Sequence, residues 1–287
     1  MKKIILNSIR KIFCYAPFRN ILRRLTNGKS PHSIIGRIAP PNFLFAKNSI
    51  AKFNAEGFVY ELDLSDYIGH YLYFGFEDDG LSDLYNRVSD GAVIFDIGAN
   101  IGSTAMHFAT CANNTTVYGF EPDAHNFKIA SKNIELNNLT NIKLYNFGLG
   151  DKKMQSKLFI KDDNNRGMNR ILNDEKSELS YSLIDVRTLD DLVEEIKPTK
   201  IDVIKIDVEG FEMKVLTGAK NTLIKYKPKL FLETNNSLLA NHQSSISDVV
   251  QFLITLNYKL SIIPGNKPLT DDDIKGANHF DLFAEQN

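Results

Sequence analysis

The stretch Val93–Gly102, VIFDIGANIG, decides the fold that this sequence predicts. Its apolar run ends at Asp96, as in a short buried strand. Gly98 and Gly102 then provide a tight turn ahead of a segment with helical spacing. Strand, glycine turn and helix in this order are typical of open α/β folds, which bind ligands at the carboxyl ends of their strands. We therefore expect a ligand site at this turn.

Strand-like and helix-like segments alternate from residue 92 to the end of the chain. The predicted strands are Val93–Asp96, Thr116–Glu121, Ile142–Phe147, Ile201–Asp207, Lys229–Glu233, Tyr258–Ile262 and Phe280–Ala284. The predicted helices are Leu81–Val88, Ser103–Thr110, Ala124–Asn137, Leu189–Ile196, Phe211–Tyr226 and Ile246–Leu256. Such alternation indicates parallel strands joined by helical crossovers, so the sequence predicts a doubly wound α/β sheet. We also expect a strand at Phe58–Leu64, an aromatic connection YIGHYLYFG, and an added strand pair, Lys157–Ile160 with Ser182–Val186.

The charges are distributed unevenly along the 287 residues, although the net charge is only −1. Residues 1–55 contain eleven Lys or Arg and no Asp or Glu, which leaves 23 basic residues against 35 acidic ones in the rest. The Pro40-Pro41 pair marks an early break. We therefore predict a basic helical appendage over residues 1–55, followed by an acidic α/β domain over residues 56–287.

The first 30 residues are basic and have approximately helical apolar spacing at Ile4, Ile5, Ile9, Ile12 and Phe13. Their apolar run is too short and too interrupted for a secretion signal or a membrane span. Two interpretations remain open: a helix that lies on an anionic membrane surface, and a solvated basic helix that packs on its own domain or a partner subunit.

The two cysteines, Cys14 and Cys111, are far apart and match neither a disulfide framework nor a zinc motif. Two unpaired cysteines are typical of proteins in a reducing compartment, so we expect a cytoplasmic protein. If the first helix lies on a membrane, we expect the protein at the inner membrane surface. The acidic body has no recognisable RNA-binding motif, and we do not expect nucleic acid as a partner. The oligomeric state stays open.

Two acidic residues at strand ends indicate which ligand the turn binds. Glu121 follows Asp96 by 25 residues and can accept hydrogen bonds from both hydroxyls of a ribose. The turn itself lacks the G-x-G-x-x-G pattern that cradles a pyrophosphate, because Asn100 stands where a glycine is expected. A carboxylate beside a helix N-terminus suits a ligand that carries both an ammonium and a carboxylate, such as the methionine moiety of S-adenosylmethionine.

Four segments in this order and spacing resemble the FkbM family of S-adenosylmethionine-dependent methyltransferases. They are DIGANIG (Asp96–Gly102), EP (Glu121-Pro122), VRTLDDL (Val186–Leu192) and IKIDVEGFE (Ile204–Glu212). The resemblance implies a class I methyltransferase (Rossmann-like) fold, a seven-stranded sheet whose last strand is antiparallel, over the domain that begins at residue 56. It also implies methyl transfer to a hydroxyl of a sugar, glycan or related natural product.

The resemblance also carries over site residues by position. It implies that the methionine end of the cofactor is lined by Asp96, Gly98, Asn100 and Gly102. Glu121 would hold the ribose, and the adenine would lie near Phe147–Gly148, with Asp151 just beyond.

Asp207 ends the fourth core strand and Glu209 follows it, so both are expected near the methyl-transfer edge of the sheet. We predict that they are catalytic, with Asp207 also close to the cofactor. Three roles stay open: acceptance of the proton that an attacking hydroxyl loses, binding of a divalent metal ion, and capping of a helix that starts at Gly210.

Other polar residues are weaker candidates. The resemblance places His70, Tyr71 and Tyr73 beside the cofactor, whereas His107 is expected to be packed, and His242 and His279 are isolated. The loop DDNNRGMNR offers Gly167 and Asn169, with Arg166 and Arg170 as contacts for an anionic group or as a solvated tip.

Two other functions compete with methyl transfer. A nicotinamide-dependent oxidoreductase on a Rossmann-like fold would need the missing glycine pattern. A non-catalytic cofactor-binding module would not need the intact acidic residues Asp96, Glu121 and Asp207.

Overall fold

The protein divides into two compact units. A computed structural model describes residues 2–76, 81–162, 165–172, 179–276 and 278–286. The first unit contains the described residues within 1–79, 135–137 and 162–167, and the second contains those within 80–134, 138–161 and 168–287. In the described residues, no helix has both the length and the apolar character that crossing a membrane requires.

The first unit combines helices with one strand pair. Its elements are α1 (Lys2–Arg10), α2 (Ala16–Thr26), β1 (Ile50–Ala55), β2 (Phe58–Asp63) and α3 (Tyr67–Phe74). Strands β1 and β2 pair antiparallel from Ile50↔Asp63 to Ala55↔Phe58, so this unit extends past the division predicted at residue 55. The functional assignment of the two parts stays a prediction.

Helix α3 occupies the segment expected to be an aromatic connection. Asp66 caps its first turn, because the Asp66 side chain accepts hydrogen bonds from the backbone N–H groups of Ile68 and Gly69. Buried aromatic side chains such as Phe74 then hold the helix against the rest of the unit. A local cap thus stabilised a helix that the apolar pattern alone did not predict.

The second unit contains the sheet. Its strands are β3 (Val93–Ile97), β4 (Thr116–Phe120), β5 (Ile142–Tyr145), β6 (Gly148–Leu149), β7 (Met154–Phe159), β8 (Arg170–Ile171), β9 (Tyr181–Arg187), β10 (Val203–Ile206), β11 (Lys229–Asn235), β12 (Lys259–Ile263), β13 (Lys267–Pro268) and β14 (His279–Glu285). The large sheet has the order β13-β12-β14-β11-β10-β3-β4-β5. It contains all seven predicted core strands and one extra two-residue strand, β13. The last strand, β14, is antiparallel to both of its neighbours, as the resemblance implied.

A smaller sheet has the order β6-β9-β7-β8. Its central pair, β7 and β9, runs antiparallel with Leu158 opposite Ser182, which confirms the added strand pair.

The α-helices of the second unit are α4 (Leu81–Tyr85), α5 (Ser103–Thr110), α6 (Ala124–Leu136), α7 (Leu189–Ile196), α8 (Glu212–Gly218), α9 (Lys220–Tyr226), α10 (Asn236–Leu239), α11 (Ile246–Thr255) and α12 (Asp271–Gly276). Short 3₁₀ helices occur in both units, at Lys11–Cys14, Gly36–Ile38, Asn42–Leu44, Arg166–Met168 and Ala240–His242.

Two apolar cores result from the alternation of side chains along the strands. Phe95 of β3 packs in one core with Val215 of α8, whereas Ile94 packs in the other with Phe108 of α5. A strand that is buried on both faces needs a near-continuous apolar sequence. Acidic side chains such as Asp96, Glu121 and Asp207 therefore lie at the carboxyl edge of the sheet, where β3, β4 and β10 end.

The segment predicted as one helix over Phe211–Tyr226 forms two helices, α8 and α9, which meet at Gly218 and Ala219. A Cβ atom on Gly218 would lie 1.9 Å from the backbone oxygen of Gly150. The close approach of two backbones requires glycine at this position.

We expect Gly218→Ala to lower the free energy of unfolding by about 1–3 kcal/mol, because the added methyl group forces the buried backbone apart. Gly276→Ala is the matched control, since a Cβ atom there would meet nothing within 4 Å. Urea denaturation followed by circular dichroism measures both changes. Equal stability of the two variants would contradict the close approach.

Candidate functional site

The turn after β3 is built from residues with left-handed backbone conformation. Gly98 and Gly102 have φ angles of 84° and 83°, and Asn100 has a φ angle of 50°. A Cβ atom on Gly98 would lie 1.8 Å from the backbone oxygen of Asp207. Glycine is therefore required twice at this position, for its φ angle and for the contact with the end of β10.

Glu121 joins this turn to the end of β4. Its carboxylate accepts hydrogen bonds of 2.8 Å from the backbone N–H groups of Asn100 and Asp123. Burial raises the pKa of Glu121 to about 8, against the opposing effect of these two hydrogen bonds. The acidic residue predicted to bind a ribose thus also organises the turn.

Lys205 lies at the centre of the site, although the sequence pattern predicts no role for it. Its Nζ atom is 3.5 Å from Asp96 Oδ1 and 3.2 Å from Asp207 Oδ2, and it donates a 3.0 Å hydrogen bond to the Gly98 carbonyl. Burial alone would lower the pKa of Lys205, but the carboxylates of Asp207 and Asp96 outweigh it and hold the pKa above its usual range. The sequence does contain a signal for this role, because a lysine within an otherwise apolar strand is unusual and indicates a buried partner of opposite charge.

Asp96 is fully buried, and neither of its carboxylate oxygens has a hydrogen-bond partner in the described residues. Burial raises its pKa to about 6, although the nearby Lys205 ammonium opposes this effect. The side-chain oxygen of Asn100 is also buried without a partner. A buried acceptor without a partner is costly, so this pair of residues fits a ligand that donates hydrogen bonds and carries positive charge.

The Asp207 side chain pairs with the side chain of Glu233, which lies in β11. The Asp207 side chain is 33% exposed, so it reaches the edge of the sheet. The Asp207 charge and burial together raise the pKa of Glu233 to about 9, and a side-chain hydrogen bond joins the two groups. From the sequence, Glu233 is expected only to end a strand.

Glu209 is half-buried with a φ angle of 55°. Burial raises its pKa to about 7, with a further increase from Asp207 and an opposing effect of Arg170 and Lys161. In the described part of the chain, no three His, Cys, Asp or Glu side chains are grouped so that they could hold a metal ion.

The capping role considered for Asp207 and Glu209 was wrong. Helix α8 starts at Glu212, not at Gly210, and the buried Glu212 side chain accepts hydrogen bonds from the N–H groups of Gly210 (3.0 Å) and Val208 (3.3 Å). Glu212 thus stabilises the loop that presents Asp207 and Glu209.

The residues expected near an adenine lie at the start of the smaller sheet. Gly148 is buried in β6, and the Asp151 carboxylate forms a 2.9 Å ion pair with Lys214 of α8. Their contact with a cofactor stays a prediction.

The polar loop DDNNRGMNR is joined to the site by one side chain. Asn169 donates a 2.6 Å hydrogen bond to Asp123, two residues after Glu121. Residues 163–164 of this loop lie outside the described residues.

Two histidines are held inside their own units. His70 is buried, its Nε2 lies 2.7 Å from the Pro40 carbonyl, and burial lowers its pKa to about 4. His107 stacks on Tyr85 and hydrogen-bonds the Ser103 carbonyl at 3.0 Å, which agrees with the packed role expected for it. The contact of His70, Tyr71 and Tyr73 with a cofactor stays a prediction.

The two later histidines differ in their surroundings. His242 is buried with its Nε2 atom 2.9 Å from the Ile171 carbonyl, and burial lowers its pKa. His279 is exposed, and its Nδ1 atom lies 4.0 Å from Glu233 Oε1, near the carboxyl pair.

Comparison with known proteins identifies the family. The model of the Methyltransferase FkbM domain matches residues 96–260, from the end of β3 into β12. The matched region contains Asp96, Glu121, Asp207 and Glu233.

Three curated relatives match the chain at low identity. The hexuronic acid methyltransferase AglP of Haloferax volcanii is 29% identical over 147 residues, which cover 51% of this chain and 58% of AglP. The 2-O-methyltransferase NoeI of Sinorhizobium fredii is 28% identical over 148 residues, covering 46% and 59% of the two chains. Methyltransferase 1 of Beauveria bassiana is 28% identical over 146 residues, covering 45% and 59%. The chain thus spans slightly less than three fifths of the length of these relatives.

Solved structures with similar folds include methyltransferase FkbM from Methylobacillus flagellatus, with a TM-score of 0.45 and 22% identity over 69% of this chain and 44% of the other. A TehB-like methyltransferase from Corynebacterium glutamicum has a TM-score of 0.44 and 12% identity over 76% and 92% of the two chains. The family model alone spans more than half of the chain. Together with the sheet order and the acidic strand ends, this match identifies the chain as a member of the FkbM methyltransferase domain family.

Proposed function

We propose that this protein transfers a methyl group from S-adenosylmethionine to a hydroxyl of a sugar, glycan or related natural product. The buried Asp96 carboxylate carries the proposal, because neither of its oxygens has a hydrogen-bond partner in the described residues and Lys205, at 3.5 Å from Oδ1, compensates its charge only in part. The names of two relatives, one for a hexuronic acid and one for 2-O-methylation, support a sugar hydroxyl as the acceptor.

The residues around the turn have the chemistry to hold the cofactor. Asp96 and Asn100 would receive the ammonium group of the methionine moiety, since their buried oxygens accept hydrogen bonds. Glu121 retains lone pairs for the two ribose hydroxyls beyond those that its backbone donors use. Gly98 and Gly102 allow the left-handed backbone of the turn that lines the methionine end, and we keep Gly148 and Asp151 as the adenine side of the site. When bound, S-adenosylmethionine supplies an electrophilic methyl group on its sulfonium.

The acceptor hydroxyl must lose a proton during or after methyl transfer. We assign its acceptance to Glu209, because a pKa of about 7 suits a general base at neutral pH. Asp207 is already engaged by Lys205 and Glu233, so we assign it to orient the hydroxyl by accepting a hydrogen bond.

Calorimetry on the full chain tests the cofactor. We expect binding of S-adenosylmethionine and S-adenosylhomocysteine, and none of NAD. Glu121→Gln should weaken S-adenosylmethionine binding about ten- to hundredfold, because an amide has one acceptor oxygen and leaves a buried N–H without a partner. The control is Glu195→Gln, at a side chain that is 60% exposed. Tight NAD binding without a response to the other two ligands would overturn the proposal.

Turnover with a panel of uronic acid and neutral sugar acceptors tests the assignment of the base. Glu209→Gln should lower kcat about 10²- to 10⁴-fold and leave S-adenosylmethionine affinity within a few-fold. Because Glu209 must be deprotonated, the wild-type rate should rise with pH through about 7, and this rise should be absent from Glu209→Gln.

Asp207→Asn tests the orienting role. It should raise KM for the acceptor as well as lower kcat, because the amide keeps one acceptor oxygen but loses the ion pair with Lys205. Full activity of both the Asp207 and the Glu209 variants would contradict the proposed site.

A further inference from the structure

Helix α2 of the first unit borders an open cavity with a volume of about 770 Å³. Successive residues of a helix are rotated by about 100° around its axis, so positions 19, 20, 23 and 24 lie on one side of α2. Strand β1 and helix α3 complete the wall, and every described residue that lines the cavity belongs to the first unit. The charged and amide side chains in this lining are Arg19, Asn20, Arg23, Arg24, Asn27 and Lys52.

The charges around this cavity all have the same sign. Four cations, three arginines of α2 and Lys52 of β1, line it, and none of the described residues in its lining is Asp or Glu. Like charges held around one space repel each other, and a bound anion relieves this repulsion. The two asparagine amides of the lining add neutral N–H donors that an anion accepts as well. The lining is therefore suited to an anionic ligand.

Two of the arginines are fixed in position by the buried Tyr73 of α3. Arg19 Nε donates a 3.0 Å hydrogen bond to the Tyr73 hydroxyl, and Arg23 Nε donates one of 2.6 Å to the Tyr73 carbonyl. Both guanidinium groups lie 5.1 Å from the centre of the Tyr73 ring. These cations are held in place before any anion binds, which reduces the entropy lost on binding.

Arg23 also bears a cost of burial. The side chain is half-buried, and the loss of hydration lowers the pKa of its guanidinium group. No carboxylate among the described lining residues offsets this loss. A ligand with negative charge in the cavity would supply the missing counter-charge.

The type and number of the cations indicate which anion fits. Arginine presents a planar fork of N–H donors that matches the oxygens of a phosphate group. A carboxylate offers a single negative charge, whereas a diphosphate offers several and extends over two phosphate groups. Four cations around a space much larger than one phosphate group therefore favour the diphosphate.

We propose that this cavity of the first unit is a binding site for a diphosphate group. The site does not depend on methyl transfer, because it is built from residues to which the proposed reaction assigns no role.

Calorimetry of the full-length protein with inorganic pyrophosphate, at low ionic strength and without divalent cations, tests the site. We expect binding that weakens as salt is added. Arg24→Gln/Lys52→Gln should lower the affinity about tenfold or more, because it removes two of the four charges that attract the ligand. The matched control, Lys152→Gln/Lys153→Gln, removes two exposed cations of the second unit and should bind as the wild type does.

A charge-preserving variant separates the effect of charge from a change of shape. Arg24→Lys/Lys52→Arg keeps both positive charges and should retain the pyrophosphate affinity within about a few-fold. Circular dichroism and S-adenosylmethionine calorimetry on every variant should match the wild type, which separates a loss of pyrophosphate binding from a loss of folding.

Competition identifies the source of the diphosphate. Displacement of pyrophosphate by uridine diphosphate indicates a soluble diphosphate ester, and displacement by vesicles that contain diacylglycerol pyrophosphate indicates a lipid headgroup. Both results support the site.

Two outcomes would overturn the proposal. One is that the folded wild-type protein does not bind pyrophosphate at low ionic strength. The other is that Arg24→Gln/Lys52→Gln and its second-unit control bind pyrophosphate with the same affinity, since the anion would then lie elsewhere on the protein.

Discussion

The ammonium group of Lys205 holds the site together, because it lies within 3.5 Å of Asp96 and 3.2 Å of Asp207 in the buried end of the sheet. The parallel register of β10 and β3 sets Lys205 opposite Asp96, so both side chains point to the same face. Charged side chains that are buried lose their hydration, and the attraction between opposite charges must offset the free energy that this loss costs. Lys205 compensates Asp96 and Asp207 only in part, since Asp96 keeps two oxygens without hydrogen bonds.

The remaining acidic groups follow from the same geometry. Parallel strands end at one edge of the sheet, so acidic residues that are distant in sequence meet there. Burial, together with the charge of a neighbouring Asp, raises the pKa values of Glu121 and Glu209 to about 8 and 7, and the charge of Asp207, together with burial, raises the pKa of Glu233. Such perturbed groups are costly for stability and are typical of functional sites, where a bound ligand offsets the cost. The proposed division of work between Asp207 and Glu209 depends on these shifts.

The first unit presents a different physical problem. Its α2 helix exposes Phe18, Ile21 and Leu25 on one side, and the described residues that line a cavity on another side include four cations and no Asp or Glu.

The sequence alone determined the alternation of strands and helices, the glycine turn after Asp96 and the acidic strand ends Glu121 and Asp207, because periodicity, glycine content and polarity at strand ends are local properties. The tertiary structure decided the roles of Lys205, Glu212 and Glu233. Their partners are set by strand register and loop packing, which a single sequence does not specify. Likewise, the break at Gly218 depends on contact with Gly150, which is 68 positions away in the chain. A local sequence pattern does not specify which distant atoms come into contact. These contacts decide both the charge state of a buried group and the space available to it.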